Sequence, residues 1–246
     1  MFAFDRLDIL DEVTFRERLI GTLHRLKPVL EEPGVLVVGS EVPNLLQPGA
    51  ASTLVVSQDV DLAVPVDRIA SFKNRLLQVQ GLVASTEEPS VYVPTEPGLI
   101  EANFFGLDSR IRDASETYVL EDPDLPLMVF GPLGLLRPGP VIEWEGLRVP
   151  LPRPADLMAE KLLTDRTDEK GARDLLVVAG MLVTAESADL DELVRVVAGL
   201  PPESRHSICS ALTVLSLMDS RAGMPDPAPV RENVMHLISR IEANRE

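Results

Sequence analysis

Two aspartates, Asp59 and Asp61, lie two positions apart in the run SQDVDLAV at 57–64. In a β-strand, successive side chains alternate between the two faces of the sheet. Both carboxylates therefore point to one face, while the valines and the leucine of the run point into a core. Like charges side by side repel each other unless a cation, a proton or open solvent offsets them. Because hard divalent cations bind carboxylate oxygens, the pair predicts a metal site, with a solvent-facing strand as the alternative.

A glycine and a serine, Gly39 and Ser40, follow the apolar run at 35–38, which predicts a buried strand. A glycine after a strand allows backbone N–H groups to approach a phosphate closely, and a serine hydroxyl adds a donor. An ordinary strand-ending turn is the alternative. A strand, a Gly-Ser turn and a second strand with an Asp pair together indicate nucleotidyl transfer, in which metal ions clamp the phosphoryl group.

A third carboxylate, Glu101, lies in the strand predicted at 99–105. The alternation places Glu101 and Asn103 on a polar face and the residues between them on an apolar face. If this strand lies beside the Asp strand, Glu101 completes a cluster of three carboxylates. It would then bind metal or accept the proton of an acceptor hydroxyl. The alternative, a glutamate that faces solvent, stays open.

A lysine and an aspartate in predicted helices complete the candidate site. Lys161 lies on the apolar stripe of the helix predicted at 155–166, and a lysine that faces inward needs a partner or an anion. A nucleoside triphosphate would serve; the alternative is an i, i+4 pair with Asp165. Asp174 lies at the edge of the apolar face of the helix predicted at 169–183, with a solvated first turn as the alternative.

The composition is that of a globular protein with one large domain or two small ones: 246 residues, 45% hydrophobic and 25% charged. The net charge of -16 disfavours a broad basic surface for nucleic acid or anionic membrane, but it allows a local basic pocket. A single cysteine, Cys209, excludes an internal disulfide and a multi-cysteine metal site. The sequence shows no signal-peptide layout and no membrane-spanning run, so we expect a soluble, cytoplasmic protein.

The patterning predicts an α+β fold, with a mixed β-sheet and flanking helices in residues 1–152 and an α-helical C-terminal part in residues 153–246. Only loops and short elements are predicted between 106 and 140. A two-residue Glu145-Gly146 turn predicts a hairpin. Strands are predicted at 35–38, 57–64, 82–85, 91–93 and 99–105, and helices at 11–30, 67–79, 155–166, 169–183, 190–200, 204–217 and 230–243.

The order of these features resembles the nucleotidyltransferase fold, and more narrowly the AbiEii-type group, the nucleotidyltransferase toxins of abortive-infection toxin–antitoxin pairs. The resemblance covers roughly residues 33–183. Its marks are VGS at 38–40, SxDVDL at 57–62, a later strand with Glu101, PADLMAEK at 154–161, Arg166, and KxxRDL at 170–175.

The resemblance implies roles for these residues. In that family the Gly-Ser turn holds nucleotide phosphates, the Asp pair holds Mg²⁺ (or Mn²⁺), a later Lys contacts the triphosphate, and an Asp closes the last motif. Carried over, these roles fall on Gly39, Ser40, Asp59, Asp61, Lys161 and Asp174. The implied activity is metal-dependent transfer of a nucleoside monophosphate from an NTP to an acceptor hydroxyl on RNA such as tRNA, a protein or a small molecule. An antitoxin protein is the implied partner.

The sequence departs from the family pattern in two places. Eighteen residues separate Ser40 from Asp59, and Pro43, Pro48 and Gly49 disfavour a long helix among them. Val55 stands where the family often has an arginine. Both departures motivate an alternative function, a catalytically silent nucleotide sensor or protein-binding module. A third hypothesis, a small-molecule nucleotidyltransferase of the antibiotic-modifying type, predicts a roomy acceptor pocket lined by the C-terminal helices.

Overall fold

The computed structural model describes residues 12–46, 59–111, 113–164, 168–221 and 224–243. Within these ranges, the side chains of residues 12–14 and 168–170 are not described. The helices are α1 (Glu12–Arg25), α2 (Lys27–Leu30), α3 (Val42–Leu46), α4 (Ile69–Leu76), α5 (Pro154–Leu163), α6 (Asp168–Thr184), α7 (Ser187–Ala198), α8 (Pro202–Leu217) and α9 (Arg231–Ala243). The strands are β1 (Leu36–Val38), β2 (Asp59–Pro65), β3 (Leu82–Ala84), β4 (Val91–Pro94), β5 (Glu101–Leu107), β6 (Thr117–Leu120), β7 (Leu127–Phe130), β8 (Pro138–Trp144) and β9 (Leu147–Pro152).

A mixed sheet is built around β2 and β5, which pair in parallel. β1 adds to the other edge of β2 in antiparallel orientation. On its far side, β5 pairs antiparallel with β4 and, further along, parallel with β7; β3 and β6 extend these two branches. β8 and β9 form a separate two-stranded sheet. This architecture confirms the predicted α+β class with a mixed sheet and flanking helices.

The core lies on the apolar faces of β2 and β5. Val60, Leu62 and Val64 are fully buried, as the alternation along β2 predicts. From β5, Phe104 packs edge-to-face against Phe72 of α4, with ring centroids 5.3 Å apart. Burying these side chains fixes which face of each strand looks inward, and therefore which face carries the polar residues.

The hairpin predicted around Glu145 and Gly146 is confirmed as β8–β9. Both turn residues have positive φ, 51° for Glu145 and 78° for Gly146. Positive φ at both central positions is the type I′ geometry, whose twist matches that of the strands that it joins.

One expectation about the elements was wrong. The helix predicted at 11–30 is divided at Leu26 into α1 and α2. Pro28 explains the division, because it has no N–H for the helical hydrogen bond and its ring clashes with the preceding turn.

The segment 106–140 contains loops and short elements, as predicted, and its short elements include the β6–β7 pair. The loop that joins this pair is held by Lys73, whose Nζ lies 2.9 Å from both Asp122 Oδ1 and Asp124 Oδ2.

Ion pairs position α5 relative to the neighbouring elements. Arg137 Nε donates to the fully buried Asp156 Oδ2 at 2.9 Å, joining the residue before β8 to the first turn of α5. Arg153, just before α5, donates to Glu192 Oε1 of α7 at 2.8 Å. No helix in the described part of the chain combines the length and apolar character that crossing a membrane requires.

Replacing Phe104 by alanine should lower the free energy of unfolding by about 3–5 kcal/mol, because the change leaves a cavity between Phe72 and Tyr92. Urea denaturation measures the loss. The control is Met235→Ala on the exposed side of α9, which should change the same quantity by less than about 0.5 kcal/mol. Equal effects of the two substitutions would contradict the assignment of the core.

Candidate functional site

Strand register brings the predicted carboxylates together. Across the parallel β2–β5 pair, Asp59 lies opposite Glu101 and Asp61 opposite Asn103. Across the antiparallel β1–β2 pair, Asp61 lies opposite Val38, so the Gly-Ser turn after β1 begins beside this carboxylate. The structure thus meets the condition on which the role of Glu101 depended, that its strand lies next to the Asp strand.

A single amide holds the two aspartates. Asn103 Nδ2 donates to Asp59 Oδ2 at 3.0 Å and to Asp61 Oδ1 at 2.9 Å. The two N–H groups of one amide thereby partly offset the repulsion between neighbouring carboxylates. The sequence places Asn103 on the polar face of its strand, but the bridge depends on a register that the sequence does not show.

Glu101 is half-buried beside Asp59. Burial raises the pKa of its carboxyl above the ordinary value, and the negative charges of Asp59 and Glu88 raise it further. Among the described residues, however, no group of three His, Cys, Asp or Glu side chains is arranged to hold a metal ion. The carboxylates are brought near one another without forming a closed set of ligands.

Gly39 allows two carboxylates to approach the turn closely. Its φ is +99°, a conformation that glycine adopts without strain. A Cβ atom here would lie 2.6 Å from Asp61 Oδ2 and 2.8 Å from Glu41 Oε2. The space that any other residue would fill is therefore the point toward which these two oxygens converge.

Glu41 belongs to this site and was not predicted. Its side chain is fully buried, Oε1 accepts a 2.9 Å hydrogen bond from Ser40 Oγ, and Oε2 has no hydrogen-bond partner among the described residues. Burial, followed by the charges of Asp61 and Asp59, raises the pKa of Glu41 to about 8. In the sequence, Glu41 begins an irregular Pro/Gly-rich stretch, and no local pattern there signals burial.

Ser40 is held from both sides. Its hydroxyl donates to Glu41 and accepts a 3.0 Å hydrogen bond from Arg173 Nη2 of α6. Arg173 therefore joins the Gly-Ser turn to the C-terminal helices, a contact that the KxxRDL motif does not reveal. The predicted role of Ser40 in phosphate binding stays a prediction, and in this structure the hydroxyl bonds to protein groups.

Lys161 faces inward, as predicted, and is only 5% exposed. Its Nζ lies 3.4 Å from Asp174 Oδ1 and 3.6 Å from Glu160 Oε2. Two of the predicted site residues thus pair with each other. The alternative partner, Asp165, lies outside the described residues, as do Arg166 and the position of Val55.

A cavity of about 780 Å³ opens beside these groups, within the range of small-molecule sites. Of the predicted site residues, Gly39, Asp61 and Lys161 line it; Ser40, Asp59, Glu101 and Asp174 do not. Its walls also include apolar side chains of the sheet and of the 3₁₀ turn Gly131–Leu135, which follows β7, and polar side chains near the start of α8. Among them are Phe105, Phe130, Leu133, Ser204 and Ser207.

No protein-family model matches this chain, and no curated protein sequence matches it either. Among solved structures, an antigenic nucleotidyltransferase-like protein from Paracoccidioides brasiliensis aligns over 80% of this chain and 92% of its own, at 16% identity and a TM-score of 0.45. JHP933 from Helicobacter pylori aligns over 96% of this chain and 93% of its own, at 15% identity and a TM-score of 0.36. A protein from H. pylori provisionally named a nucleotidyltransferase aligns over 96% of both chains, at 14% identity and a TM-score of 0.35. These similarities are too low to assign this chain to a family.

In metal-free buffer, wild type should lose stability relative to Glu41→Gln as the pH rises from 5 to 8. The folded-state pKa of about 8 lies above the ordinary 4.5, so the stability from the protonated carboxyl is complete below 4.5 and lost as the pH passes 8. The difference in unfolding free energy should change by at most about 1.4 kcal/mol per pH unit. Urea denaturation at several pH values measures it. Exposed Glu17→Gln is the control for the loss of a glutamate, and a difference for Glu41→Gln that stays constant from pH 5 to 8 would contradict this account.

Gly39→Ala should lower the free energy of unfolding more than Gly98→Ala does. Both glycines have positive φ, +99° and +86°, but a Cβ at Gly98 meets nothing within 4 Å. Gly98→Ala therefore measures backbone strain alone, about 1–2 kcal/mol. Thermal and urea unfolding of the two variants isolates the contribution of the carboxylate contacts, and equal losses would contradict the close approach at Gly39.

Proposed function

We propose that this protein is a metal-dependent nucleotidyltransferase, which moves a nucleoside monophosphate from an NTP to an acceptor hydroxyl and releases pyrophosphate. The observation that carries the proposal is the placement of Asp59 and Asp61. One amide, that of Asn103, holds both carboxylates side by side, and Asp61 lines a cavity that Lys161 also lines. A pair of carboxylates, one of which lines the cavity, and an inward lysine at the same cavity are groups suited to a metal–triphosphate substrate.

The residues fit a hard divalent cation such as Mg²⁺ or Mn²⁺. Asp59 and Asp61 offer carboxylate oxygens, and the buried Glu41 Oε2 beside them has no hydrogen-bond partner among the described residues. When bound, the cation would supply charge stabilisation for the transferring phosphoryl group. The protein's own contribution is to hold the two aspartates at a fixed spacing through the amide of Asn103.

Lys161 would bind the triphosphate. Its ammonium group is nearly buried, so its attraction to phosphate oxygens is weakly screened by solvent. Asp174 would hold the lysine in place at the cavity wall until the nucleotide enters. Gly39 and Ser40 would complete the phosphate side of the site.

Glu101 is proposed to support the metal site through Asp59. It lies directly opposite Asp59 but does not line the cavity, so its placement favours this role over direct contact with an acceptor. The second role expected for it, accepting the proton of the acceptor hydroxyl, needs such contact and is therefore the less favoured of the two.

The acceptor and the subgroup are finer parts of the proposal. The hypothesis of a small-molecule acceptor predicts a roomy pocket lined by the C-terminal helices, and the cavity is lined by residues from α5 and near the start of α8. This observation favours a small acceptor over a folded macromolecule. Membership of the AbiEii-type group and an antitoxin partner rest on the sequence resemblance, and an antitoxin gene beside this one would support both.

A second candidate is a catalytically silent nucleotide sensor. The absence of a ready three-residue metal group among the described residues favours it, as does the pairing of Lys161 with Asp174. Calorimetric titration with a non-hydrolysable NTP and Mg²⁺, run beside a transfer assay, separates the two functions. Binding without transfer supports the sensor, whereas binding with transfer supports the enzyme.

Asp59→Asn and Asp61→Asn should each reduce transfer on the order of 100-fold or more, because each removes charge from the metal site. The assay follows label from each α-labelled NTP, with Mg²⁺ or Mn²⁺, into RNA, protein or pooled small hydroxyl compounds. The matched control is Asp67→Asn, an exposed aspartate beyond the end of β2, which should transfer like wild type. Equal transfer by wild type and Asp59→Asn would contradict the proposed function.

Lys161→Gln should raise the KM for NTP about 10- to 100-fold with a smaller effect on kcat, because it removes a charge that binds the triphosphate in ground and transition states alike. Exposed Lys27→Gln is the control. Melting curves for both variants show whether the loss of the Asp174 partner unfolds the protein. An unchanged KM in a folded Lys161→Gln protein would show that Lys161 does not bind the triphosphate.

A further inference from the structure

Glu41 differs from the other buried acidic side chains in the described part of the chain. The other five each have a lysine or arginine within 4 Å: Glu32 with Arg75, Asp108 with Arg110, Asp156 with Arg137, and both Glu160 and Asp174 with Lys161. Glu41 is fully buried and makes no such pair with a described residue. Within the described part of the chain, a protein cation therefore lies beside each of the other buried carboxylates, but not beside this one.

The unpaired oxygen of Glu41 is oriented toward the aspartates. Glu41 Oε2 and Asp61 Oδ2 converge on the same point above Gly39, which a Cβ would place 2.8 Å and 2.6 Å from them. Buried polar atoms nearly always have a partner, so a partner for Glu41 Oε2, which has none among the described residues, is expected at this point. A proton on Oε2 would neutralise Glu41, but it finds no acceptor within hydrogen-bond distance among the described residues.

Hydrogen bonds fix this orientation. Ser40 Oγ donates to Glu41 Oε1 at 2.9 Å, and Arg173 Nη2 donates to Ser40 Oγ at 3.0 Å. The guanidinium is therefore bonded to the serine and not to the carboxylate. With Oε1 held by Ser40, the carboxylate presents Oε2 toward Asp61.

We infer that Glu41 Oε2 and Asp61 Oδ2 together bind the divalent cation of the proposed site, so that the metal site includes the Gly-Ser turn as well as β2. The inference rests on the proposed function. The described side chains do not form a ready group of three ligands, so water or substrate oxygens would complete the coordination. Carboxylates without a soft donor select a hard, oxygen-binding cation of the Mg²⁺ or Mn²⁺ class. The glycine at position 39 is then required because a side chain there would fill the space between two of the ligands.

The test is Mn²⁺ binding to the full chain without nucleotide, measured by electron paramagnetic resonance and by the Mn²⁺-induced rise in Tm. Glu41→Gln should weaken binding at least about 10-fold and abolish most of the rise in Tm. Exposed Glu17→Gln should bind like wild type. Gly39→Ala, which keeps all three carboxylates but fills the space between them, should also lose binding, whereas Gly98→Ala should retain it.

The outcomes separate this inference from the proposed function. If Asp61→Asn loses Mn²⁺ while Glu41→Gln binds it like wild type, Glu41 is not a ligand and the metal site at the aspartates stands. If Asp59→Asn, Asp61→Asn and Glu41→Gln all bind like wild type, or if wild type binds no Mn²⁺, both are overturned. Should Glu41→Gln fail to fold, Gly39→Ala against Gly98→Ala decides: retained binding in Gly39→Ala overturns the inference.

Discussion

The site depends on one amide group placed between two carboxylates. Asn103 can bond Asp59 and Asp61 together only because β5 lies parallel to β2 with these residues in register. A shift of one residue would turn the Asn103 side chain to the other face of the sheet and bring Phe104 to the carboxylates. The burial of Phe104 against Phe72 prevents that shift. The hydrophobic core and the polar site are therefore two consequences of the same register.

Around this pair, the electrostatics follow from burial and partners. The chain is strongly acidic, yet within its described part five of the six buried carboxylates lie within 4 Å of a lysine or arginine. The exception lies beside the aspartates, where Glu41 is buried with the charges of Asp61 and Asp59 as neighbours. Negative charge is thus concentrated next to a cavity that a nearly buried lysine also lines, and this arrangement is the basis of the proposed function.

The polar and apolar faces of both central strands could be predicted, because alternation is a local property of a strand. The β8–β9 hairpin could also be predicted, since Glu145-Gly146 specifies its turn within two residues. The β6–β7 pair could not be predicted, because its two short strands are joined by an acidic loop that Lys73, from a helix far away in the sequence, holds in place. The inward position of Lys161 was predicted from helical spacing, but its partner was not, since Asp174 belongs to another helix.

The sequence alone determined which residues of β2 and β5 are polar, that a Gly-Ser turn precedes them, and that the chain ends in helices. Each is set by the spacing of neighbouring residues. Only the tertiary structure decided that Asn103 bridges the aspartates, that Arg173 holds Ser40 from 133 positions away, and that Glu41 is buried against Asp61. These features need segments far apart in the chain to meet. Burial and strand register arise from that packing, so local spacing does not record them.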